Sequence, residues 1–241
     1  MKISVITITY NSEKTLEETI NSIISQEYED FEYIIIDGAS TDNTMNIVQK
    51  YQDKITKIVS EPDKGICDAF NKGIAQAEGE LIAIINSDDI LLPGALDIVA
   101  RTYDESVDVI YGDGLRLFPD GTMKPYKCKE LRKIKMEMPL MHPSTFVSRK
   151  AYDKYGVFDM EYNVCMDREL LLRMYSKGAK FKYIPYELSV FRMGGLSDVM
   201  FSTKVKMERE QISLKYGAKK WQVKLFMFNS FLKMKIKGLF E

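Results

Sequence analysis

Two aspartates that directly follow an apolar run are the residues whose types and spacing indicate chemistry. Residues 86–89 (NSDD) come immediately after residues 81–85 (LIAII), and an apolar run of this length predicts a buried strand. Carboxylates at the end of a strand can hold Mg²⁺ or Mn²⁺, hard cations that prefer oxygen ligands and often bridge a protein carboxylate to a diphosphate. The alternative is an aspartate-rich turn that caps the next helix.

Three further predicted strands also end in polar residues. The residues after the four strand ends are 9–11 (TYN), 37–42 (DGASTD), 61–65 (EPDKG) and 86–89 (NSDD). In open α/β sheets, ligands bind at the carboxyl ends of the strands, where the strand order reverses. Four polar strand ends in succession therefore predict one binding site.

The elements that must position these residues alternate between strand and helix. Residues 3–9 and 33–36 are mostly β-branched, and apolar residues recur between them at helical spacing behind Ser12, which we assign as an N-cap. The alternation continues with helices after Thr41, over 65–77 and near Pro93, and with strands at 55–60, 81–85 and 107–111. This order predicts an α/β fold with a mostly parallel, doubly wound sheet and helices on both faces.

The pattern changes beyond residue 112. Strand-like pieces flank a turn signal at Pro119, Asp120 and Gly121. Beyond this turn we predict helices at 129–136 and 166–177, strands at 180–184 and 188–191, and a long helical tail.

Four motifs together resemble those of the family 2 glycosyltransferases, which have the GT-A fold. They are VITITYN at 5–11, IDGASTD at 36–42, EPDKGICDAFNKGI at 61–74 and NSDD at 86–89. The likeness is to bacterial enzymes of polysaccharide and lipopolysaccharide assembly, and it covers residues 3–196. It implies a nucleotide-sugar-binding half over 1–112, an acceptor-binding half over 113–200 and a helical tail over 201–241.

The resemblance also implies a role for each residue of the predicted site. Asp37 pairs with the base, and Asp89 is the direct ligand of Mn²⁺ or Mg²⁺. The motif opens with Asn86 where relatives often carry an aspartate, and the amide oxygen of Asn86 can coordinate a metal in its place. The nucleotide-binding residues that the resemblance implies are Thr9, Tyr10, Asn11, Glu13, Asp37, Asp63 and Asp88.

Transfer of a sugar to a hydroxyl also requires a base on the acceptor side. The acceptor hydroxyl has a very high pKa, so a positioned carboxylate should take its proton as the bond forms. Asp167, at the start of a predicted helix, matches the family's catalytic acidic residue, and Glu169 is the reserve candidate. The alternative role for Asp167 is that of a helix N-cap.

Two further residues have two interpretations each. His142 is the only histidine of the chain; it either contacts the metal-diphosphate region or the acceptor, as relatives suggest, or is structural. Arg192 precedes residues 193–197 (MGGLS), which look like the family's flexible stretch near the diphosphate. It either neutralises charge on the leaving group or is a surface arginine.

The tail is basic and carries an apolar stripe. After Gln211 there are seven lysines and one glutamate, so this segment carries a net charge of +6. Because the whole chain has a net charge of −1, the residues up to Gln211 carry −7. An amphipathic basic helix with aromatic residues suits the surface of an anionic membrane, and we expect peripheral contact through 215–240. The alternatives are packing on the catalytic domain or on a second subunit, which would make a homodimer.

Composition limits the protein classes that fit. The chain has 241 residues and is 45% hydrophobic, enough for an ordinary core. Three widely spaced cysteines indicate a reducing compartment. No apolar run approaches the roughly 18 residues of a spanning helix. We therefore expect a cytoplasmic protein, at most peripheral on the inner membrane face, with no nucleic-acid partner.

The leading hypothesis is an inverting, metal-dependent hexosyl- or N-acetylhexosaminyltransferase. It would move a sugar from a UDP-sugar to a glycan or lipid-linked acceptor. A sugar nucleotidyltransferase is the alternative enzyme, but it would carry a glycine-rich basic loop after the first strand, where this chain has residues 10–13 (YNSE). An oxidoreductase fits less well, since no G-x-G-x-x-G follows that strand. A non-catalytic subunit of an assembly complex is the remaining alternative, although it need not retain Asp88, Asp89 or Asp167.

Overall fold

The computed structural model describes residues 1–194 and 203–237. Within these residues the strands are β1 (Ile3–Thr9), β2 (Phe31–Asp37), β3 (Lys57–Ser60), β4 (Leu81–Ile84), β5 (Ile90–Leu91), β6 (Val109–Leu117), β7 (Met123–Tyr126), β8 (Thr145–Ser148) and β9 (Phe181–Arg192). The helices are α1 (Leu16–Ile24), α2 (Thr44–Lys50), α3 (Ile66–Gln76), α4 (Ala95–Thr102), α5 (Arg149–Tyr155), α6 (Met166–Ser176), α7 (Thr203–Lys215) and α8 (Lys220–Lys237). Short 3₁₀ helices lie at Gln52–Lys54, Leu131–Lys135 and His142–Ser144.

All the described strands belong to one sheet, in the order β3-β2-β1-β4-β8-β6-β9-β5, with β7 paired to β6. The first four strands are parallel neighbours, as the β-α alternation predicts. The second half of the sheet is mixed, because β8 runs antiparallel to both β4 and β6 while β6 and β9 are parallel. The α/β fold is confirmed, and its parallel part is the half that carries the predicted nucleotide motifs.

Burial on both faces explains why β1 and β2 are continuous apolar runs. Successive side chains of a strand point to opposite faces. Ile6 packs with Phe70 of α3 on one face, while Val5 packs with Leu16 of α1 on the other. Helices therefore cover both faces of the sheet, as predicted, and the strand ends are left to form the site.

Several element boundaries differ from the predictions. Ser12 is not the N-cap of α1, which begins at Leu16 behind Thr15. The carbonyl of Ser12 instead accepts the amides of Thr15 and Leu16 in a preceding turn, and its hydroxyl lies 2.8 Å from that of Ser87. The two strands predicted at 180–184 and 188–191 are one strand, β9, whose pairing shifts register between Gly112 and Gly114.

The tail is two helices rather than one. Gly217, with φ +83°, adopts a left-handed conformation that ends α7 and that glycine takes at little cost. Helix α8 starts three residues later and packs on α7. In the part of the chain that the structure describes, no helix has both the length and the apolar character needed to cross a bilayer.

Candidate active site

The loops after β1 and β2 hold each other in place. The amide of Asn11 donates to the Ser40 hydroxyl over 2.8 Å, and the Asn11 side-chain oxygen accepts the amide of Thr41 over 2.8 Å. The Glu13 carboxylate accepts the amide of Asn43 over 3.0 Å. Asn11 therefore adopts φ +50°, which asparagine tolerates better than most residues. Asn11 and Glu13 thus shape the predicted nucleotide pocket by fixing the β2 loop.

Asp37 lies beneath these loops and is fully buried. Its carboxylate accepts hydrogen bonds from the hydroxyl and the amide of Ser40, and from the hydroxyl of Ser60 over 2.6 Å. Asp37 therefore joins the end of β2 to the end of β3. A base that contacts Asp37 would do so beside Ser40 and Ser60, which already donate hydrogen bonds to its carboxylate.

The side chains of Tyr10 and Asp63 lie on either side of Gly38. The Tyr10 side chain is 63% exposed. A Cβ at Gly38 would lie 2.8 Å from a carboxylate oxygen of Asp63 and 3.4 Å from the Tyr10 ring, so only glycine leaves both in place. Thr9, just below, is buried. An exposed aromatic face beside a carboxylate oxygen is suited to a planar nucleobase.

Lys72 holds the Asp63 carboxylate in this position, a role that sequence reasoning missed. The Lys72 ammonium lies 2.7 Å from Asp63, 2.9 Å from Glu61 and 3.4 Å from Asp68. Its hydrogen bond to Asp63 raises the pKa of Lys72 the most, so the lysine stays charged. The position of Lys72 on α3 could have suggested this role, since α3 directly follows the loop that carries Asp63.

The predicted metal motif is a compact acidic turn at the end of β4. Asp89 is fully buried, and its two oxygens accept the Asn86 side-chain amide over 3.2 Å and the Arg192 backbone amide over 3.1 Å. Burial raises the pKa of both Asp88 and Asp89, and the neighbouring Asp88 charge raises that of Asp89 further. Two neighbouring carboxylates with raised pKa values are hard to ionise at the same time. A bound cation would stabilise their charged forms at neutral pH.

The donor set at this turn fits Mg²⁺ or Mn²⁺. The Asn86 side-chain oxygen is buried and has no hydrogen-bond partner within the described residues, so its lone pairs are free for a ligand. Across residues 1–194 and 203–237 there is no group of three or more histidine, cysteine, aspartate or glutamate side chains that could hold a metal. A hard cation with one or two protein carboxylates commonly completes its shell with substrate phosphates and water. Asp88, Asp89 and Asn86 suit that arrangement.

Arg192 lies against this acidic turn. Its side chain donates to the backbone carbonyl of Asp88 over 3.1 Å and forms an ion pair with Glu18, while its backbone amide holds Asp89. Arg192 thus lies beside the predicted metal motif, and its role in neutralising leaving-group charge stays a prediction. Residues 195–197 of the predicted flexible stretch lie outside the described residues.

Asp167 and His142 line the same small cavity, in the half of the chain predicted to bind the acceptor. Both line it together with apolar residues that include Ile84 of β4 and Phe158. The N-cap of α6 is Cys165, so Asp167 is not the N-cap and its carboxylate stays beside the cavity. The His142 ring stacks on Phe70 with 5.5 Å between ring centroids. A carboxylate and an imidazole therefore border one cavity beside β4, which both Ile82 and Ile84 of that strand line.

Glu169 has a different environment from Asp167. It is fully buried and accepts hydrogen bonds from Arg173 over 3.1 Å and from the Tyr216 hydroxyl over 2.5 Å. Lys215 lies 3.7 Å away. Glu169 thus ties α6 to the end of α7, and both of its carboxylate oxygens already have partners there.

Glu208 of α7 fixes the loop that leads to Asp167, and no local sequence signal identified it. The buried Glu208 carboxylate accepts the backbone amides of Asn163, Val164 and Cys165 over 3.1, 3.0 and 2.9 Å. Forty-three residues separate Glu208 from Cys165, so this contact depends on the tertiary fold. Three amides on one carboxylate hold the start of α6 rigidly.

The pH dependence of stability should reveal the environment of His142. Burial lowers its pKa, an effect that the Asp167 carboxylate partly opposes, and Nε2 has no hydrogen-bond partner among the described residues. The unfolded chain therefore binds a proton at higher pH than the folded chain does, so stability falls as the pH drops below about 6.5. Because His142 is the only histidine, a His142→Gln variant should lose less melting temperature than the parent between pH 7.5 and 5.5. Equal losses in both proteins would contradict the assignment.

Several known proteins resemble this chain in sequence. The model of the protein family described as Glycosyl transferase family 2 matches residues 4–156. An uncharacterized glycosyltransferase of Nostoc sp. is 32% identical over 146 residues, which are 56% of this chain and 45% of the Nostoc protein. The chain therefore spans less than half the length of that relative.

Two solved structures share the fold. Residues 1–349 of TarS from S. aureus, solved in complex with UDP-GlcNAc, match with a TM-score of 0.71 at 23% identity, over 94% of this chain and 70% of that one. A mannosyltransferase from Pyrobaculum calidifontis, solved with GDP-Man and Mn²⁺, matches with a TM-score of 0.66 at 18% identity. That match covers 89% of this chain and 62% of the mannosyltransferase.

Proposed function

Because the chain belongs to glycosyl transferase family 2, we propose that it is an inverting, metal-dependent transferase that moves a sugar from a UDP-sugar to an acceptor hydroxyl. The observation that supports the proposal most directly is that both candidate groups border β4. The acidic turn of Asp88 and Asp89 follows this strand, and Ile82 and Ile84 of the same strand line the cavity of Asp167 and His142. A donor diphosphate and an acceptor hydroxyl could therefore approach each other there.

The nucleotide would bind across the loops after the first three strands. Thr9, Tyr10, Asn11, Glu13, Asp37, Asp63 and Asp88 remain the nucleotide-binding residues of this proposal. The exposed Tyr10 ring offers a stacking face, and the Asp63 oxygen beside Gly38 can accept an N–H from the base. Uracil, which carries such an N–H, suits this pocket.

The chemistry divides between two groups of residues. Asp89, with Asp88 and Asn86, would hold Mg²⁺ or Mn²⁺, which when bound stabilises the charge of the departing diphosphate. Arg192 adds a guanidinium beside the same turn. Asp167 would take the proton of the acceptor hydroxyl as a general base. A single displacement of this kind inverts the anomeric configuration.

The sugar and the acceptor belong to the proposal as chemical classes. UDP-GlcNAc in TarS and GDP-Man in the mannosyltransferase support a hexosyl or N-acetylhexosaminyl donor. We propose a glycan or lipid-linked acceptor in the assembly of a cell-surface polysaccharide or lipopolysaccharide, with the reaction on the cytoplasmic side. The division into residues 1–112, 113–200 and 201–241 stays part of this proposal, and its first boundary coincides with the register shift at Gly112 in β6.

Binding of UDP tests the nucleotide pocket. An Asp37→Ala variant should bind UDP about 1–3 kcal/mol more weakly, the usual range for losing a charged hydrogen bond. The reason is the loss both of a carboxylate below the base and of the bonds to Ser40 and Ser60. Titration calorimetry with UDP measures the change.

Two controls separate a pocket effect from a general effect. Ser60→Ala removes one internal bond of Asp37 but keeps the carboxylate, so its effect should be smaller. Asp97→Ala, on the surface of α4 where Asp97 pairs only with Arg101 among the described ion pairs, should change nothing, because an exposed pair contributes little. Unchanged UDP affinity in Asp37→Ala would place the base elsewhere.

A further inference from the structure

Helix α8 exposes a line of large apolar side chains, here called the α8 stripe: Trp221, Leu225, Phe228 and Leu232. Their side chains are 61%, 51%, 58% and 39% exposed. Spacings of four, three and four residues place all of them on one side of the helix. Four neighbouring apolar side chains of this size, left in solvent, indicate an interaction surface.

The opposite side of α8 is the one that packs on the protein. Val223 is only 2% exposed, and Phe226 and Met227 are half-buried. The helix contacts α7. The face of α8 that contacts the rest of the protein is therefore the one opposite the stripe. The alternative that the stripe packs on the catalytic domain is wrong for these four residues.

Positive charge flanks the stripe. Lys219, Lys220 and Lys224 are exposed, and Lys220 and Lys224 lie along one edge of the stripe. The sequence of α8, Lys220–Lys237, contains no aspartate or glutamate. Aromatic and aliphatic side chains bordered by lysines suit a bilayer surface, where anionic headgroups cover an apolar interior.

We propose that the α8 stripe docks on a bilayer surface that carries anionic headgroups. A second copy of this chain fits less well, because pairing two stripes would bring two sets of lysines together without a carboxylate on either helix. The stripe residues would enter the headgroup region, and the lysines would contact lipid phosphates.

Docking would also orient the acceptor side of the active site. Helix α7, on which α8 packs, carries Glu208 and so holds the loop that leads to Asp167. This consequence rests on the proposed function, whereas docking itself does not. An acceptor anchored in the same bilayer would then meet an active site held at a fixed height above it.

The single tryptophan of the chain makes the test direct, since Trp221 belongs to the stripe. Full-length protein is mixed at low salt with vesicles of phosphatidylglycerol and phosphatidylcholine, or of phosphatidylcholine alone, while tryptophan fluorescence is recorded. The anionic vesicles should shift the emission to shorter wavelength and protect it from a soluble quencher. High salt should reverse both effects.

Variants that keep Trp221 show whether the stripe is responsible. Leu225→Asp with Phe228→Asp should abolish vesicle binding, and each of Lys220→Glu and Lys224→Glu should weaken it about fivefold or more. Tyr186→Asp is the matched control, since Tyr186 is 54% exposed on β9, away from the stripe. It should bind vesicles like the parent. Circular dichroism and the melting temperature show whether each variant is folded.

Three results would overturn the proposal. No change in emission with anionic vesicles at low salt would exclude docking. An equal response to neutral vesicles would exclude recognition of anionic headgroups. A blue shift that grows with protein concentration without lipid, together with a dimer in sedimentation, would assign the stripe to a second copy.

Discussion

An Asp167→Asn variant is expected to turn over about 10²- to 10⁴-fold more slowly than the parent, the usual contribution of a general base. The asparagine keeps the shape of the side chain beside the His142 cavity but cannot accept the acceptor's proton. Donor binding should be preserved, because the proposed nucleotide pocket consists of the loops after β1, β2 and β3. Turnover with a saturating donor and acceptor, beside donor affinity by calorimetry, measures both.

Glu169→Gln is the matched control for this prediction. Glu169 is buried against Arg173, Lys215 and Tyr216, so the substitution should lower the melting temperature and leave turnover nearly intact while the protein is folded. The product should have the anomeric configuration opposite to that of the donor. A dead Glu169→Gln variant at a temperature where it is folded, or a product that retains configuration, would disprove the role of Asp167.

The second large effect is expected at the acidic turn. Asp89→Asn should abolish transfer, because it removes the charge that would hold the cation, and EDTA should do the same to the parent. The fold should survive, since an asparagine can still accept the Arg192 amide. Activity with Mn²⁺ or Mg²⁺, after dialysis against EDTA, measures the loss.

The stability of Asp89→Asn without metal gives an independent readout. Burial raises the pKa of Asp89 above 3.8, its value in the unfolded chain. Between pH 3.8 and this raised pKa, the folded protein binds more protons than the unfolded chain. The stability of the parent therefore falls as the pH rises through this range. The asparagine variant lacks this loss and should melt no lower than the parent at pH 7.5. Asp97→Asn, at a surface position, is the control. Full parent activity in EDTA would refute the metal role.

The strand ends of the site were predictable because local sequence determines them. Residues 3–9 and 81–85 are apolar runs whose polar successors must emerge at one edge of a parallel sheet. For Arg192 the sequence left two roles open, leaving-group neutralisation and a surface position; the structure shows its contacts with Asp88 and Asp89, and its role stays a prediction.

The contacts that hold the site in shape were only partly predictable. Glu208 reaches residues 163–165 across the fold and leaves no periodic trace in the sequence. Lys72 lies one helical turn after Asp68, but its contact with Asp63 depends on the conformation of the loop before α3. Strand β8 and helix α5 were missed for another reason: four and seven residues are too short for a clear period, and burial between β4 and β6 determines the strand.

Incubating the purified protein with Mn²⁺ and a panel of nucleotide sugars tests the central claim most directly, with melting temperature and release of free nucleotide as the two readouts. At least one UDP-sugar should raise the melting temperature and release UDP, with water taking the sugar when no acceptor is supplied. That release should stop in EDTA and fall in the Asp167→Asn variant. If no nucleotide sugar stabilises the protein, or if the parent in EDTA and the Asp167→Asn variant with Mn²⁺ both release UDP as fast as the parent with Mn²⁺, the chain does not perform the transfer described.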